Sequence, residues 1–180
     1  MMRITLSIAF LAALSVPLSA QQMGSTNRDA QKVEQEITFH NGAELTVEYT
    51  ALNWATGKFM ENVKQERFRT MVNDNAKKTP AGKLVLSQDM TIGGKPIKAG
   101  EYGLHFMISD DASWMLTLSQ TNAEGEVELT QWPLALEDSP IQTPRLLIAL
   151  AAGDTTTSCT LHLMFGDKYV AMPASLTEKE

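Results

Sequence analysis

Residues 102–119 read YGLHFMISDDASWMLTLS and decide the fold class of this chain. On both sides of the polar segment 109–113, apolar residues occupy every second position, which is the pattern of two strands joined by a turn. Residues 145–165 repeat this arrangement around a second polar turn. Together with other turn signals, such as Gly93-Gly94, these short strands predict a mainly β protein with an antiparallel, jelly-roll-like β-sandwich.

One helix interrupts the β pattern, and the sequence places it at residues 59–73. Its apolar residues recur at helical spacing, and the residues between them are good helix formers. The polar segment 73–75 and the Thr79-Pro80 pair are predicted to end the helix.

Residues 1–20 have the features of a cleavable signal peptide. Arg3 supplies a positive charge, an apolar run follows, and small residues precede an expected cut between Ala20 and Gln21. The apolar run is too short for a membrane-spanning helix, which needs about 20 residues. We expect a periplasmic or secreted protein that has no stable membrane anchor.

The rest of the chain is predicted to hold one domain. Residues 44–173 form the expected β-sandwich, since 180 residues match the usual size of a single domain. The polar residues 21–43 are expected to be a flexible leader, with a short helix over 29–36. Residues 174–180 are expected to be a solvated tail.

The formal net charge of the chain is −6 at pH 7. An acidic surface repels nucleic acid and anionic lipid, so neither is expected as a partner. Cys159 is the only cysteine, which excludes an internal disulfide. We expect its thiol to be buried as a small apolar group rather than exposed for reaction.

Several short motifs recur in a characteristic order along the predicted domain. They are ALNW at 51–54, IGGK at 92–95, AGEYGL at 99–104, SWMLTL at 113–118, Arg145-Leu146, and LMFG at 163–166. In these motifs the chain resembles a family of exported bacterial proteins that share a domain of unknown function, family 2911. The resemblance covers residues 44–173 and implies a β-sandwich and export.

The same resemblance singles out Arg69 and Asn73. Many family members carry a Trp-Arg-x-Gly-Ala-Asn segment before the Gly-Gly hairpin, and here residues 68–73 read FRTMVN. The arginine and the asparagine match, whereas Phe68 replaces the tryptophan and the Gly-Ala pair is absent. A ligand-binding role for Arg69 and Asn73 is what this resemblance implies.

Both predicted hairpins place histidine and methionine on the face opposite the main core. These residues are His105, Met107, Met115, His162 and Met164. Imidazole and thioether ligands suit copper, especially Cu(I), so a copper site is one hypothesis. The competing interpretation is packing beneath the helix, because methionine fills irregular gaps. The expected cross-strand pairs are Met107 with Met115, His105 with Thr117, His162 with Leu147, and Met164 with Arg145.

Small-ligand binding is the second hypothesis. β-Sandwiches bind sugars and other small molecules at aromatic-lined faces or at loop ends. Trp54 and Trp132 are the candidate residues, because each lies at the end of a predicted strand. The alternative for both is packing at the edge of the core.

No enzyme motif is present in the sequence. It lacks Gly-x-Ser-x-Gly, His-Glu-x-x-His and a phosphate-binding loop. The spacing of Cys159 and His162 places them on opposite faces of a strand, which argues against a thiol–imidazole pair. We therefore favour a non-enzymatic exported protein that binds a small ligand or an envelope partner. A copper-binding protein and a protein with a purely structural or protein-interaction role are the alternatives.

Overall fold

The computed structural model of the protein describes residues 30–53 and 62–177. The predicted signal peptide, Trp54 and the first residues of the predicted helix lie outside the described residues.

The described residues form two antiparallel β-sheets that face each other. The strands are β1 (Lys32–Thr38), β2 (Glu44–Thr50), β3 (Gly82–Leu86), β4 (Met90–Ile92), β5 (Lys95–Ile97), β6 (Gly100–Ile108), β7 (Trp114–Thr121), β8 (Val127–Pro133), β9 (Glu137–Ala152) and β10 (Ser158–Leu176), and helix α1 is Glu66–Lys78. A six-stranded sheet has the order β1-β2-β3-β6-β7-β8, and a four-stranded sheet has the order β5-β4-β10-β9. The predicted antiparallel β-sandwich is confirmed.

One main hydrophobic core lies between the sheets. Along β2, the side chains of Leu45, Val47 and Tyr49 are buried, while the residues between them are more exposed. Ile148 of β9 and Leu163 of β10 face the same core from the four-stranded sheet. The period-two alternation of the sequence therefore sets which side of each strand is buried, as in other sandwiches.

Strand β1 lies within residues 21–43, which we expected to be a flexible leader. Every residue of β1 pairs with β2. Val33, Gln35 and Ile37 are half-buried, whereas the residues between them are exposed. The short helix predicted over 29–36 is therefore wrong. In β1, charged residues alternate with inward-facing ones. The pairing of this strand with β2 outweighs the modest helix propensity of its residues.

Strand β10 changes its inward-facing side at a bulge. Gly166 has a positive φ of 66° and sits where the register with β9 shifts. Leu163 faces the core before the bulge, and Met172 faces the core after it. Residues 174–176 pair with β4, so this part of the predicted tail, 174–180, belongs to a sheet.

Helix α1 begins at Glu66, within the predicted range 59–73, and ends beyond that range at Lys78. The segment 73–75 continues the helix instead of ending it. The helix ends at Lys78, because Thr79 precedes Pro80 and takes the extended backbone that a residue before proline prefers (φ −138°, ψ 97°).

Helix α1 occupies the place of a missing strand in the six-stranded sheet. Tyr49 of β2, Gly82 of β3 and Leu104 of β6 lie side by side. Gly82 is the first residue of β3, so past this row of residues no strand lies between β2 and β6. The chain after β2 continues instead to a bridge between Asn53 and Arg145 of β9. Helix α1 packs against β6 in the resulting gap.

Candidate functional site

A cavity lies beneath α1, in the gap between β2 and β6. Its volume is about 60 Å³. A second, apolar space of about 30 Å³ shares the lining residues Phe106, Leu146 and Phe165 with it. The polar residues that line the larger cavity are Thr50, Asn53, Asn75, Thr79 and His105.

His105 holds the C-terminal part of α1 onto β6. Its imidazole is 5% exposed, with Nδ1 2.8 Å from the carbonyl oxygen of Ala76 and Nε2 2.7 Å from Oγ of Ser119. Because a carbonyl oxygen only accepts, Nδ1 carries a proton and donates to Ala76, while Nε2 shares a hydrogen bond with the Ser119 hydroxyl. Both ring nitrogens therefore have protein partners, and coordination of a metal would require one of these bonds to break.

Asn73 pairs with the backbone of β6 as a strand would. Its Nδ2 donates to the carbonyl oxygen of Ile108, and its Oδ1 accepts from the N–H of Ile108, both at 2.8 Å. Arg69, one turn earlier, donates from Nη1 to the carbonyl oxygens of Val63 and Lys64 at 3.1 and 2.9 Å. Both residues that the resemblance singled out thus have structural partners, and neither lines the cavity.

The cross-strand pairs predicted for the first hairpin are confirmed. Met107 lies opposite Met115, and His105 lies opposite Thr117. Gln131 of β8 donates from Nε2 to Oγ1 of the buried Thr117 at 3.1 Å, and the same nitrogen lies 3.9 Å from Sδ of Met107. These contacts support the packing interpretation for Met107, which is buried.

His162 and Met164 lie in the other sheet. Their neighbour Leu163 faces the core, so both side chains project from the outer face of the four-stranded sheet, across the sandwich from His105. Nδ1 of His162 lies 2.8 Å from Oη of Tyr169, and the two rings stack with centroids 5.8 Å apart. The two histidines are therefore not brought together. Among the described residues, no three His, Cys, Asp or Glu side chains are grouped to hold a metal ion.

The pairing predicted for the second hairpin is wrong by two residues. His162 lies opposite Ala149, and Met164 lies opposite Leu147. The N–H of Gly153 donates to the carbonyl oxygen of Ser158 at 3.0 Å. This bond closes the turn, and it places β9 two residues away from the position relative to β10 that the sequence predicted.

Trp132 is 4% exposed and links the two sheets. Its Nε1 donates to the carbonyl oxygen of Ile92 at 2.9 Å, and Nζ of Lys95 lies 5.7 Å from the ring centroid. Gly93 permits this contact, since a Cβ there would stand 2.9 Å from the indole. The ring is too buried to stack on a sugar, which supports packing at the edge of the core. The other candidate, Trp54, lies outside the described residues.

Cys159 is buried in the main core, as expected from its sequence context. Its exposed fraction is 2%, and burial raises the pKa of its thiol from 9.0 to about 11. Little thiolate therefore forms at neutral pH. His162 projects from the opposite face of β10, so the two side chains do not form a catalytic pair.

Apart from His105, which was a candidate for the copper site, the residues that line the cavity were not among the candidates chosen from the sequence. Phe106, Leu146 and Phe165 each continue the apolar alternation of a strand, which indicates core packing and nothing more. One signal did point to this region. The motifs at 51–54, 145–146 and 163–166, on which the family resemblance rests, all contribute residues to the cavity wall.

No helix within the described residues is long and apolar enough to cross a membrane.

Comparison with known proteins identifies the family of the chain. No curated protein and no solved structure matches the chain. A family model described as a protein of unknown function (DUF2911) matches residues 29–173, a range that begins just before β1 and ends within β10. The chain therefore belongs to this family.

Proposed function

We propose that this protein is an exported, non-catalytic binding protein that holds a small apolar group beneath α1. The observation that carries the proposal is the cavity of about 60 Å³ between the helix and the two sheets. Protein interiors are packed as densely as organic crystals, and spaces larger than a water molecule are few. An apolar pocket with a few convergent polar groups is the usual form of a small-ligand site.

Small side chains on the cavity wall support retention of this space for a ligand. Ala76 and Ala81 line the larger cavity. A longer apolar side chain at either position would fill it, yet both positions carry alanine.

The convergence of the family motifs is a second argument. Leu52 and Asn53 come from the ALNW motif, Leu146 from the Arg-Leu motif, and Phe165 from the LMFG motif. These motifs are distant in the chain, but all four residues line the same cavity. A shared ligand site gives one physical reason for motifs that recur together.

The dimensions of the cavity define the ligand class. An engineered apolar cavity of about 150 Å³ accepts benzene, so a cavity of this smaller size takes fewer atoms. The expected occupant is a short alkyl or similar apolar end, packed against Phe106, Leu146 and Phe165. Asn53 and Thr79 are exposed at the rim, where they can bond the polar remainder of the ligand.

Xenon is a suitable probe of the cavity. We expect saturable shifts in amide NMR spectra of the wild-type protein under xenon, centred on Phe106 and Leu146. Ala76→Leu places a side chain in the cavity and should abolish these shifts, whereas Ala123→Leu, at an exposed turn position, should leave them unchanged. A wild-type protein without saturable shifts would contradict the proposal.

Native mass spectrometry of protein purified from its host tests for the natural ligand. We expect an added mass that is lost from Ala76→Leu and kept in Ala123→Leu. The same spectra test export, because cleavage between Ala20 and Gln21 removes a defined mass. A bare polypeptide mass for the wild-type protein, despite xenon binding, would indicate that the cavity is a packing defect and not a ligand site.

A further inference from the structure

The outer edge of β8 pairs with no other strand within the described residues, and a single lysine side chain, that of Lys95, bonds to it. β8 is the last strand of the six-stranded sheet. The N–H of Leu134 donates to the carbonyl oxygen of Trp114, so even-numbered residues of this segment bond β7. By the alternation of an antiparallel ladder, the backbone groups of Val127, Leu129 and Gln131 point away from β7. The side chains of Val127 and Leu129 are 64% and 49% exposed.

The other sheet edges in the described part of the chain are protected. Oε1 of Gln35 in β1 accepts from the N–H of Leu150 in β9 at 3.0 Å, which ties these two edges together. Strand β5 has only three residues and contains Pro96. The outer part of β9 contains Pro140 and Pro144. Short length, proline, lysine side chains and coverage are the usual means of blocking an edge. Over 127–131, β8 has one of them, because Nζ of Lys95 donates to the outward carbonyl oxygen of Gln131 at 2.6 Å.

We propose that β8 pairs antiparallel with β8 of a second copy of this chain, about a two-fold axis at Leu129. In this register Leu129 lies opposite Leu129 of the second copy, and Val127 lies opposite its Gln131. Outward-pointing backbone groups then meet outward-pointing groups once Lys95 releases the carbonyl oxygen of Gln131. Two exposed apolar side chains per copy are covered. The two six-stranded sheets become one continuous sheet.

Charge complementarity favours a second copy over an unrelated strand. Nζ of Lys95 lies over the ring of Trp132, at the far end of β8 from Glu126. The proposed register places Glu126 of the second copy opposite Trp132 on the same sheet face, beside Lys95. Nζ of Lys95 would then exchange the carbonyl oxygen of Gln131 for this carboxylate. By symmetry this ion pair forms twice. Glu128 lies opposite Thr130 of the second copy, so no like charges face each other.

Sedimentation velocity of the purified protein over a range of concentrations tests the proposal. A contact made by one short strand per copy is small, so we expect a reversible, concentration-dependent dimer. Leu129→Lys brings two like charges together on the axis and should leave only monomer. Ile141→Lys changes another exposed apolar residue, in β9 (55% exposed), and should leave the dimer intact. A monomeric wild-type protein, or a dimer that survives Leu129→Lys, would overturn the proposal.

A charge exchange tests the register and the identity of the partner. Lys95→Glu and Glu126→Lys should each weaken self-association by roughly tenfold, since two exposed ion pairs are lost. An equimolar mixture of the two variants should recover dimerisation, because each end of the mixed dimer again joins Glu with Lys. Failure of the mixture to recover, with both variants folded by circular dichroism, would overturn the two-fold register.

Discussion

Replacing Asn73 by alanine should loosen α1 from β6 and lower the free energy of unfolding by roughly 2–4 kcal/mol. The carboxamide makes two hydrogen bonds of 2.8 Å with the backbone of Ile108, a residue that is almost fully buried. Each buried backbone group that loses its partner costs about 1–3 kcal/mol. Alanine has a better helix propensity than asparagine, which offsets at most about 0.7 kcal/mol.

The control for this prediction is Asp74→Ala. Asp74 is exposed on the same helix, and its replacement brings a similar gain in helix propensity without the loss of a bond to β6. Asn73→Asp keeps an acceptor for the N–H of Ile108 but cannot donate to its carbonyl oxygen, so it should not restore stability at neutral pH.

Urea unfolding followed by circular dichroism measures the difference, and native-state hydrogen exchange reports the amide of Ile108 directly. We expect faster exchange of this amide in Asn73→Ala while amides in the centre of the sheet stay protected. A stability loss no larger than that of Asp74→Ala would refute the reasoning that Asn73 replaces a strand.

Gly93→Ala should destabilise the protein by about 1–3 kcal/mol, because its Cβ would stand 2.9 Å from Met172 and Trp132, whereas Gly94→Ala, also at positive φ, meets nothing within 4 Å. Equal losses in thermal unfolding would contradict this packing argument. The thiol of Cys159 should react with a thiol reagent only after unfolding. Burial raises its pKa from 9.0 to about 11, so its contribution to stability is complete below pH 9.0 and is lost toward pH 11. As the pH rises across this window, the free energy of unfolding of Cys159→Ala should therefore fall by roughly 2 kcal/mol less than that of the wild-type protein. Parallel pH profiles of the two proteins would contradict the raised pKa of the buried thiol.

The two hairpins show how far sequence reasoning reached. In the first, the pairing of Met107 with Met115 follows from the turn between them, because a short connection leaves few alternative registers. In the second, the same reasoning placed Leu147 opposite His162, and the structure places Ala149 there. Both connections have five residues, 109–113 and 153–157. The N–H of Ser109 bonds Ser113 in the first, whereas the N–H of Gly153 bonds Ser158 in the second, and this one-residue difference in the closing bond sets the register.

Burial was harder to predict for residues at element ends. Trp132 was considered as a ligand platform because it ends a strand, but the approach of Gly93 in the other sheet buries it. Asn73 was expected to end a helix, as asparagine often does. Its side chain instead bonds β6, across 35 residues of chain, and the helix continues. In both cases the deciding contact lies far away in the sequence.

The sequence by itself determined the β-sandwich class, the faces of most strands and the burial of Cys159, because alternation and turn chemistry act between near neighbours. The tertiary structure decided which sheet each hairpin joins, and so it separated His105 from His162. It also decided that α1 takes the place of a strand and covers a cavity. These features depend on contacts such as Asn53 with Arg145 and Asn73 with Ile108, which form only when distant segments pack together and leave no periodic signal in the chain.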